Sequence, residues 1–83
     1  MNYFFYIVRC KDDSLYCGST KNIENRIKLH NSGRGSIYVR THGGGEIIYS
    51  EIYKTLIEVM HREIQVKKWS RKKKENLIKG LKP

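Results

Sequence analysis

The sequence predicts a small α+β domain in which helices flank a three-stranded, largely antiparallel sheet. Two short apolar segments joined by a polar turn indicate a β-hairpin at the start of the chain. One later strand and three segments that begin with helix-capping residues complete the element order β-β-α-β-α-α. The 83 residues are expected to form one domain, residues 1–83, with a thin core, because small chains bury a limited share of their surface.

The hairpin is predicted from residues 3–9 and 15–19, which are rich in aromatic and β-branched side chains. The length of the polar loop between them decides which side chains share a face. A loop of three residues places Tyr6, Tyr16 and Gly18 on one face, whereas a loop of four residues separates the two tyrosines. The sequence leaves both registers open, and only the first would allow the tyrosines to act together.

The first helix is predicted over residues 22–31, where Ile23 and Ile27 are four apart and Asn22 is suited to cap the helix. A long glycine-rich segment follows, and loops of this length in small domains are usually functional or disordered. Within this segment, residues 37–39 have the composition of a short strand.

The third strand of the sheet is predicted at residues 47–53. A capping box that begins at Thr55 starts a second helix, which runs to about residue 69. A last helix over residues 71–79 ends at Gly80, because glycine readily adopts the backbone conformation that stops a helix.

The charge of the chain favours a polyanionic partner. It has 17 basic and 8 acidic residues, a formal charge of +9, and binding to phosphates releases counterions. Acidic membrane surfaces would also attract it, but no segment is long enough to span a bilayer and no signal peptide opens the chain. The 2 cysteines do not imply a disulfide scaffold. We therefore expect a cytoplasmic protein that binds nucleic acid and no membrane.

Glu63 is a carboxylate at an unusual position in the second helix. At the helical period it projects near the middle of an apolar arc, where an uncompensated charge is costly. The arc consists of Leu56, Ile57, Val59, Met60, Ile64 and Val66. The sequence leaves open two ways of offsetting the cost of this charge. One is a divalent cation, since hard oxygen ligands suit magnesium, and the other is an ion pair with Lys67 four residues on.

Two tyrosines, an arginine, a histidine and this glutamate occur in a set order: Tyr6, Tyr16, Arg26, His30 and Glu63. A lone arginine is more often solvated or salt-bridged, but Arg26 lies one helical turn from His30, which favours a role in binding phosphate. In order and spacing the chain resembles the GIY-YIG nuclease domain, and in particular its small stand-alone bacterial members. That family is named for two tyrosine tripeptides on adjacent strands.

The resemblance implies hydrolysis of a phosphodiester bond with a single divalent ion, Mg²⁺ or Mn²⁺, held by Glu63. It implies that Tyr6 accepts a proton from the attacking water while Tyr16 hydrogen-bonds in the same cluster. Arg26 would offset the charge that grows on the phosphoryl oxygens, and His30 would position the water or donate to phosphate. Which tyrosine takes the proton is left open by the sequence.

Two further positions have supporting roles by the same resemblance. Gly18 would allow close approach of a neighbouring group, and Asn76 would orient a neighbour. The chain departs from the family pattern at Phe4 and Cys17, which are not the chemical positions, so we expect effects on packing more than on catalysis. His42 is interpreted as an ordinary loop histidine. The remaining tyrosines are interpreted as core residues: Tyr3, Tyr38, Tyr49 and Tyr53.

Basic residues of the glycine-rich segment and the C-terminal helices are predicted to contact phosphates without reading sequence. They are Arg34, Arg40, Lys67, Lys68, Arg71, Lys72, Lys73 and Lys74. By resemblance we expect an endonuclease linked to DNA repair or recombination. It would recognise branched or otherwise structured DNA by shape, or depend on a protein partner for targeting. Two alternatives stay open, a non-catalytic nucleic-acid-binding module and an interaction domain of a repair complex.

Overall fold

The computed structural model of the chain describes residues 1–32 and 36–83. Its elements are β1 (Tyr3–Cys10), β2 (Leu15–Thr20), α1 (Ile23–Asn31), α2 (Ile37–Thr41), β3 (Gly45–Tyr53), α3 (Leu56–Lys67) and α4 (Arg71–Ile78). The strands form one antiparallel sheet in the order β2-β1-β3, so the predicted α+β fold is confirmed. In the described parts of the chain, no helix has the length and apolar character needed to cross a membrane. The predicted phosphate contact Arg34 lies outside the described residues.

The hairpin of β1 and β2 has the register that brings its tyrosines together. The backbone N–H of Cys10 donates to the carbonyl of Ser14 over 2.8 Å, and the N–H of Asp13 donates to the carbonyl of Cys10 over 2.9 Å. Asp13 closes the loop with φ of 73°, a left-handed conformation that aspartate tolerates. Tyr6 therefore pairs with Gly18, as a loop of three residues requires.

Residues 37–39 belong to the short helix α2, so the interpretation of this segment as a strand is wrong. Its composition is typical of strands, but Ser36 caps a helical turn by accepting a hydrogen bond from the N–H of Val39 over 3.2 Å. Val39 is fully buried against the sheet. A cap and a buried anchor outweigh strand propensity, which is a weak preference that depends on context.

The central strand β1 is buried on both faces of the sheet. Phe5 and Ile7 project from one face and pack in a cluster with buried residues of α3 and α4. Tyr6 and Val8 project from the other face and pack with Val39 of α2. The alternation of side chains along a strand thus supplies two small cores, one on each side of the sheet.

Helix α3 buries a narrower arc than its apolar pattern predicts. Only Val59 and Val66 of that arc are buried. The other members are exposed: Leu56, Ile57, Met60 and Ile64. On the same helix, the guanidinium of Arg62 donates to both oxygens of Glu51 on β3 over 2.8 and 2.9 Å. Glu63 lies at the border of the buried arc, not at its middle.

Helix α4 is attached to the hairpin by charged hydrogen bonds. The guanidinium of Arg9 donates to the two oxygens of Glu75 over 3.0 and 2.6 Å. Arg71 donates to the carboxylate of Asp13 over 2.9 Å. These contacts join the start of α4 to the turn of the hairpin, which fixes the C-terminal helix across one face of the sheet.

We expect the attachment of α4 to weaken in acid. The hydrogen bonds from Arg9 hold the pKa of Glu75 at about 2, below its ordinary value of 4.5. The stability that this carboxylate contributes is therefore complete above the ordinary pKa and is lost as the pH falls toward 2. The Glu75→Gln protein should melt several degrees lower at pH 7 and show a weaker loss of stability across the acid range.

Thermal unfolding followed by circular dichroism at a series of pH values would measure this. The matched control is Glu24→Gln, at an exposed residue of α1, which should keep the wild-type dependence on pH. Burial raises the pKa of Glu51, but hydrogen bonds from Arg62 and from two tyrosine hydroxyls together lower it below its ordinary value. Some acid dependence should therefore remain in Glu75→Gln. Identical acid profiles for the two variants would contradict the prediction.

Candidate active site

Three aromatic rings meet on the α1 side of the sheet. The ring centroids of Tyr6 and His30 are 5.6 Å apart, those of Tyr16 and His30 are 6.4 Å apart, and those of the two tyrosines are 6.5 Å apart. Tyr6 and His30 are both 1% exposed, whereas Tyr16 is half-buried. These residues, Tyr6, Tyr16 and His30, form a tyrosine–histidine triangle that is open to solvent mainly at Tyr16.

Gly18 provides the space that the two phenol rings occupy. A Cβ atom at this position would lie 2.5 Å from the hydroxyl oxygen of Tyr6 and 3.2 Å from Cε2 of Tyr16. Both distances are shorter than a normal van der Waals contact, so a side chain at residue 18 would displace Tyr6 or Tyr16. Glycine at residue 18 thus leaves the space in which the phenol of Tyr6 lies against β2.

Helix α1 supplies both Arg26 and His30 to the site. The side chain of Asn22 caps the helix by accepting from the N–H of Asn25 over 2.9 Å. Burial, and then the charge of Arg26, lower the pKa of His30, so its imidazole is neutral at pH 7. Among the residues that the structure describes, neither ring nitrogen of His30 has a hydrogen-bond partner. A neutral imidazole with one donor and one acceptor is thus held beside the tyrosines.

The hydroxyl of Tyr6 is a protonated phenol in this environment. Burial raises the pKa of Tyr6 to about 12, and the charge of Arg26 opposes that rise. Tyr16 and the carboxylate of Glu63 raise the pKa further. Arg26 and Glu63 therefore both act on the Tyr6 hydroxyl, with opposite signs, which brings all five candidate residues into one electrostatic environment.

Glu63 approaches the site from α3 and is paired with Lys67. The carboxylate and the ammonium group are 2.8 Å apart and lie one helical turn apart on the same face. Burial raises the pKa of Cys17 on β2, the charges of Lys74 and Lys67 oppose that rise, and Glu63 adds to it, so the ion pair lies near strand β2. The ion pair is the second of the two compensations that the sequence left open.

Two aromatic residues that sequence reasoning did not assign to the site lie next to it. The ring of Tyr38 stacks on Tyr16 with a centroid distance of 5.6 Å, and His42 stacks on Tyr38 at 4.0 Å. Tyr38 is 39% exposed, so it is not the core residue that was expected. The sequence pattern that could have revealed this pair is the spacing of four between Tyr38 and His42, because residues four apart lie on one face of a helix. Interpreting this segment as a strand concealed it.

Some of the predicted phosphate contacts are engaged in ion pairs with acidic side chains, and others are described only by their exposure. Lys67 pairs with Glu63, and Arg71 donates to Asp13 and Glu75. The contacts that lie exposed are Arg40, Lys68, Lys72 and Lys73, and Lys74 is half-buried. Helix α4, which carries most of them, packs on the sheet face opposite the triangle.

Asn76 lies on α4, where its backbone carbonyl accepts from the N–H of Leu81 over 2.8 Å. That contact closes the end of the helix and does not connect Asn76 with the tyrosines. The structure places the rings of Tyr6, Tyr16 and His30 together, with the charges of Arg26 and Glu63 within electrostatic reach of Tyr6. The proposed orienting role of Asn76 has no contact in the described residues to support it.

The chain belongs to the GIY-YIG family, a superfamily of nucleases, because the sequence model of the GIY-YIG catalytic domain matches residues 2–76. It is similar to the UPF0213 protein YazA of Bacillus subtilis, with 44% identity over 77 residues, which cover 93% of this chain and 78% of that protein. A UPF0213 protein of Clostridium perfringens is 46% identical over 78 residues, which cover 94% of this chain and 83% of that protein.

Solved structures of similar proteins have the same fold. The solution NMR structure of the UPF0213 protein of Bacillus halodurans is 40% identical, with a TM-score of 0.62 over 95% of this chain and 84% of that one. The solution NMR structure of protein EF2693 from E. faecalis is 35% identical, with a TM-score of 0.63 over 96% of this chain and 85% of that one.

We expect Gly18→Ala to disturb the triangle. The new methyl group would collide with the ring of Tyr6, which is fully buried and has little room to move. Overpacking of this kind typically costs about 1–3 kcal/mol of the free energy of unfolding. Chemical denaturation would measure the loss, and NMR shifts of the rings of Tyr6 and His30 should change. Ser19→Ala on the same strand is the control, and wild-type stability and ring shifts in Gly18→Ala would contradict the prediction.

Proposed function

We propose that this protein is a metal-dependent DNA endonuclease that hydrolyses phosphodiester bonds in branched or otherwise structured DNA, in repair or recombination. The observation that supports this most strongly is the convergence of Tyr6, Tyr16, Arg26, His30 and Glu63. These residues come from both strands of the hairpin and from helices on both faces of the sheet. A merely structural core would not concentrate so many polar groups around one buried hydroxyl.

Arg26 is the group we propose to bind the scissile phosphate. Its planar guanidinium can donate two parallel hydrogen bonds to phosphoryl oxygens and stabilise the charge that grows on them. The same positive charge favours the phenolate of Tyr6. Binding of phosphate and activation of Tyr6 would thus depend on one side chain.

Tyr6 and His30 are proposed to handle the attacking water. With its pKa at about 12, the Tyr6 hydroxyl first serves as a donor, and it accepts a proton only where added positive charge offsets its burial. His30 is buried, so its ring would have to become accessible when substrate binds. Neutral His30 could then accept from the water with one ring nitrogen and donate to a phosphoryl oxygen with the other. Contacts of this kind with substrate would also satisfy the two nitrogens that lack partners among the described residues.

Glu63 is the residue we propose to bind Mg²⁺ or Mn²⁺. No group of three or more His, Cys, Asp or Glu side chains suited to hold a metal occurs in residues 1–32 and 36–83. Magnesium often takes one or two carboxylates, waters and the phosphate oxygens of its substrate, so a single carboxylate fits an ion shared with DNA. The ion would act as a Lewis acid on the phosphate, and Lys67 would have to release Glu63.

A second candidate function is an interaction domain that serves a repair complex. The exposed apolar residues of α3 favour a protein partner, because such side chains are usually buried. The two functions are compatible, since a partner bound to α3 could supply the DNA targeting.

We expect Glu63→Gln to abolish cleavage while it retains binding. The test incubates labelled flap, splayed-arm, four-way-junction and linear DNA with the wild-type protein and the variant, with Mg²⁺ or Mn²⁺. Loss of the carboxylate should slow cleavage at least about a hundredfold. Affinity measured without metal should change little, because phosphate contacts by lysine and arginine carry most of the binding.

The exposed glutamate variant Glu24→Gln is the control and should cut like the wild-type protein. Equal cutting by the wild-type protein and Glu63→Gln would refute the proposed role of Glu63. Binding without cutting by both proteins would instead favour a non-catalytic nucleic-acid-binding module.

We further expect the free protein to bind the metal only weakly. Because one carboxylate already paired with Lys67 makes a poor metal centre alone, EDTA or about millimolar Mg²⁺ should leave the unfolding temperature unchanged. Addition of uncleavable DNA should make binding of Mn²⁺ measurable by its electron paramagnetic resonance signal. A marked rise of the unfolding temperature with Mg²⁺ alone would contradict a site that is completed by substrate.

A further inference from the structure

A row of stacked aromatic rings leads from the triangle, across helix α2, to the surface. The row consists of Tyr16, Tyr38 and His42, with centroid distances of 5.6 and 4.0 Å and interplanar angles of 28° and 18°. Tyr38 is 39% exposed and the side chain of His42 is 32% exposed. The aromatic row therefore begins at a residue of the candidate site and ends in solvent.

The outer rings of the row are held in place. Val39, between them in sequence, is fully buried with Tyr6 and Val8, which anchors α2 on the sheet. A ring nitrogen of His42, Nδ1, lies 2.7 Å from the carbonyl oxygen of Tyr38, and the N–H of Gly44 donates to the carbonyl of Val39 over 2.8 Å. Tyr38 and His42 thus present a fixed aromatic surface with little ordering left to occur on binding.

An exposed aromatic surface beside a site for phosphate chemistry fits a nucleobase. Every base has a π face, and stacking on aromatic side chains is a common way to hold single-stranded nucleic acid without reading its sequence. Bases within a duplex already stack on their neighbours, so only an unpaired base presents a free face. Arg40 is exposed on the same helix and can contact the backbone phosphate of such a strand.

We propose that His42, supported by Tyr38 beneath it, forms a stacking site for an unpaired nucleobase close to the scissile phosphate. The inference rests on the proposed function, because it names the substrate class of that same site: DNA with a single-stranded segment at the point of cleavage. It also gives the preference for structured over linear DNA a physical cause, namely the stacking that a fully paired strand does not offer.

A purely structural role for Tyr38 makes different predictions. If Tyr38 only packs against Tyr16, a leucine would serve nearly as well, and any loss would appear equally with every DNA. If Tyr38 supports the ring of His42 under a stacked base, phenylalanine keeps the function and leucine does not. Since the hydroxyl of tyrosine contributes nothing to stacking, the pair Tyr38→Phe and Tyr38→Leu separates the two roles.

The experiment uses the full chain with Glu63→Gln, so that DNA is bound and not cut. The probes are a splayed-arm DNA with 2-aminopurine at the first unpaired position of one arm, and a fully paired duplex that contains 2-aminopurine in the same sequence. Stacking of 2-aminopurine on an aromatic ring quenches its fluorescence. Quenching and affinity are measured in one titration with each variant in the Glu63→Gln background.

We expect Tyr38→Phe to retain the quenching of the splayed arm. Tyr38→Leu should abolish the quenching and weaken binding of the splayed arm roughly tenfold, with affinity for the duplex changed by less than about twofold. The matched control is Ile37→Ala, which removes an exposed apolar side chain from the same helix and should behave like the parent protein. If Tyr38→Leu does not fold, as judged by circular dichroism, His42→Leu replaces it, because it removes the outermost ring of the row.

Quenching and affinity that survive Tyr38→Leu would overturn the inference, and so would an equal loss of affinity for the splayed arm and the duplex. The cleavage assay distinguishes failure of the stacking inference from failure of the proposed nuclease function. Cleavage that depends on Glu63 but no quenching would refute the stacking site alone. Quenching that depends on Tyr38 without cleavage by the wild-type protein would support the stacking site and refute the nuclease. A protein that binds neither probe would refute both.

Discussion

The pairing of Tyr6 with Gly18 is the constraint on which the candidate site depends. It is fixed by the hairpin loop, where Asp13 adopts a left-handed backbone conformation and Cys10 bonds with Ser14. A shift of one residue would move Tyr16 to the other face of the sheet, among the apolar residues under α3 and α4. The glycine opposite Tyr6 is equally necessary, because a Cβ atom there would occupy the place of the phenol.

In the free protein, each ionisable group of the site has a defined protonation state or a defined partner. Burial keeps the Tyr6 hydroxyl protonated and His30 neutral, and the carboxylate of Glu63 is satisfied by Lys67. Each of these groups can change its partner when a phosphate and a cation enter. Because Arg26 acts on both Tyr6 and His30, the arrival of a phosphate at Arg26 would alter the field at both groups simultaneously. Such coupling is typical of sites whose protonation states matter to their chemistry.

The sequence was informative wherever a local pattern determines a local structure. The order of strands and helices, the spacing of Arg26 and His30 on one helical face and the condition on the hairpin loop all follow from neighbouring residues. The sequence was misleading where tertiary contacts decide. Four apolar side chains of the predicted core arc of α3 face solvent, while Arg62 of the same helix bonds to Glu51, which is 11 residues away on β3.

The same limit explains why the aromatic row was missed. A run of β-branched and aromatic residues is compatible with a strand or with a short helix, and only the burial of Val39 under the cap of Ser36 decides between them. Once the segment is helical, Tyr38 and His42 share a face and stack. Functional residues on a short element are thus harder to predict than those on longer elements, because the face they occupy depends on one contact with the core.

The position of β2 at the edge of the sheet has a consequence for how DNA would lie on the protein. The triangle and the aromatic row are on one face of the sheet, and the basic helix α4 is on the other. A strand that contacts both must therefore pass around an edge of the sheet. The charges of Glu63 and Lys67 act on Cys17 of β2, so this ion pair lies near the edge strand. A rigid straight duplex cannot follow so sharp a path within a domain whose extents are 30 × 30 × 18 Å, whereas a single strand or a branched junction can.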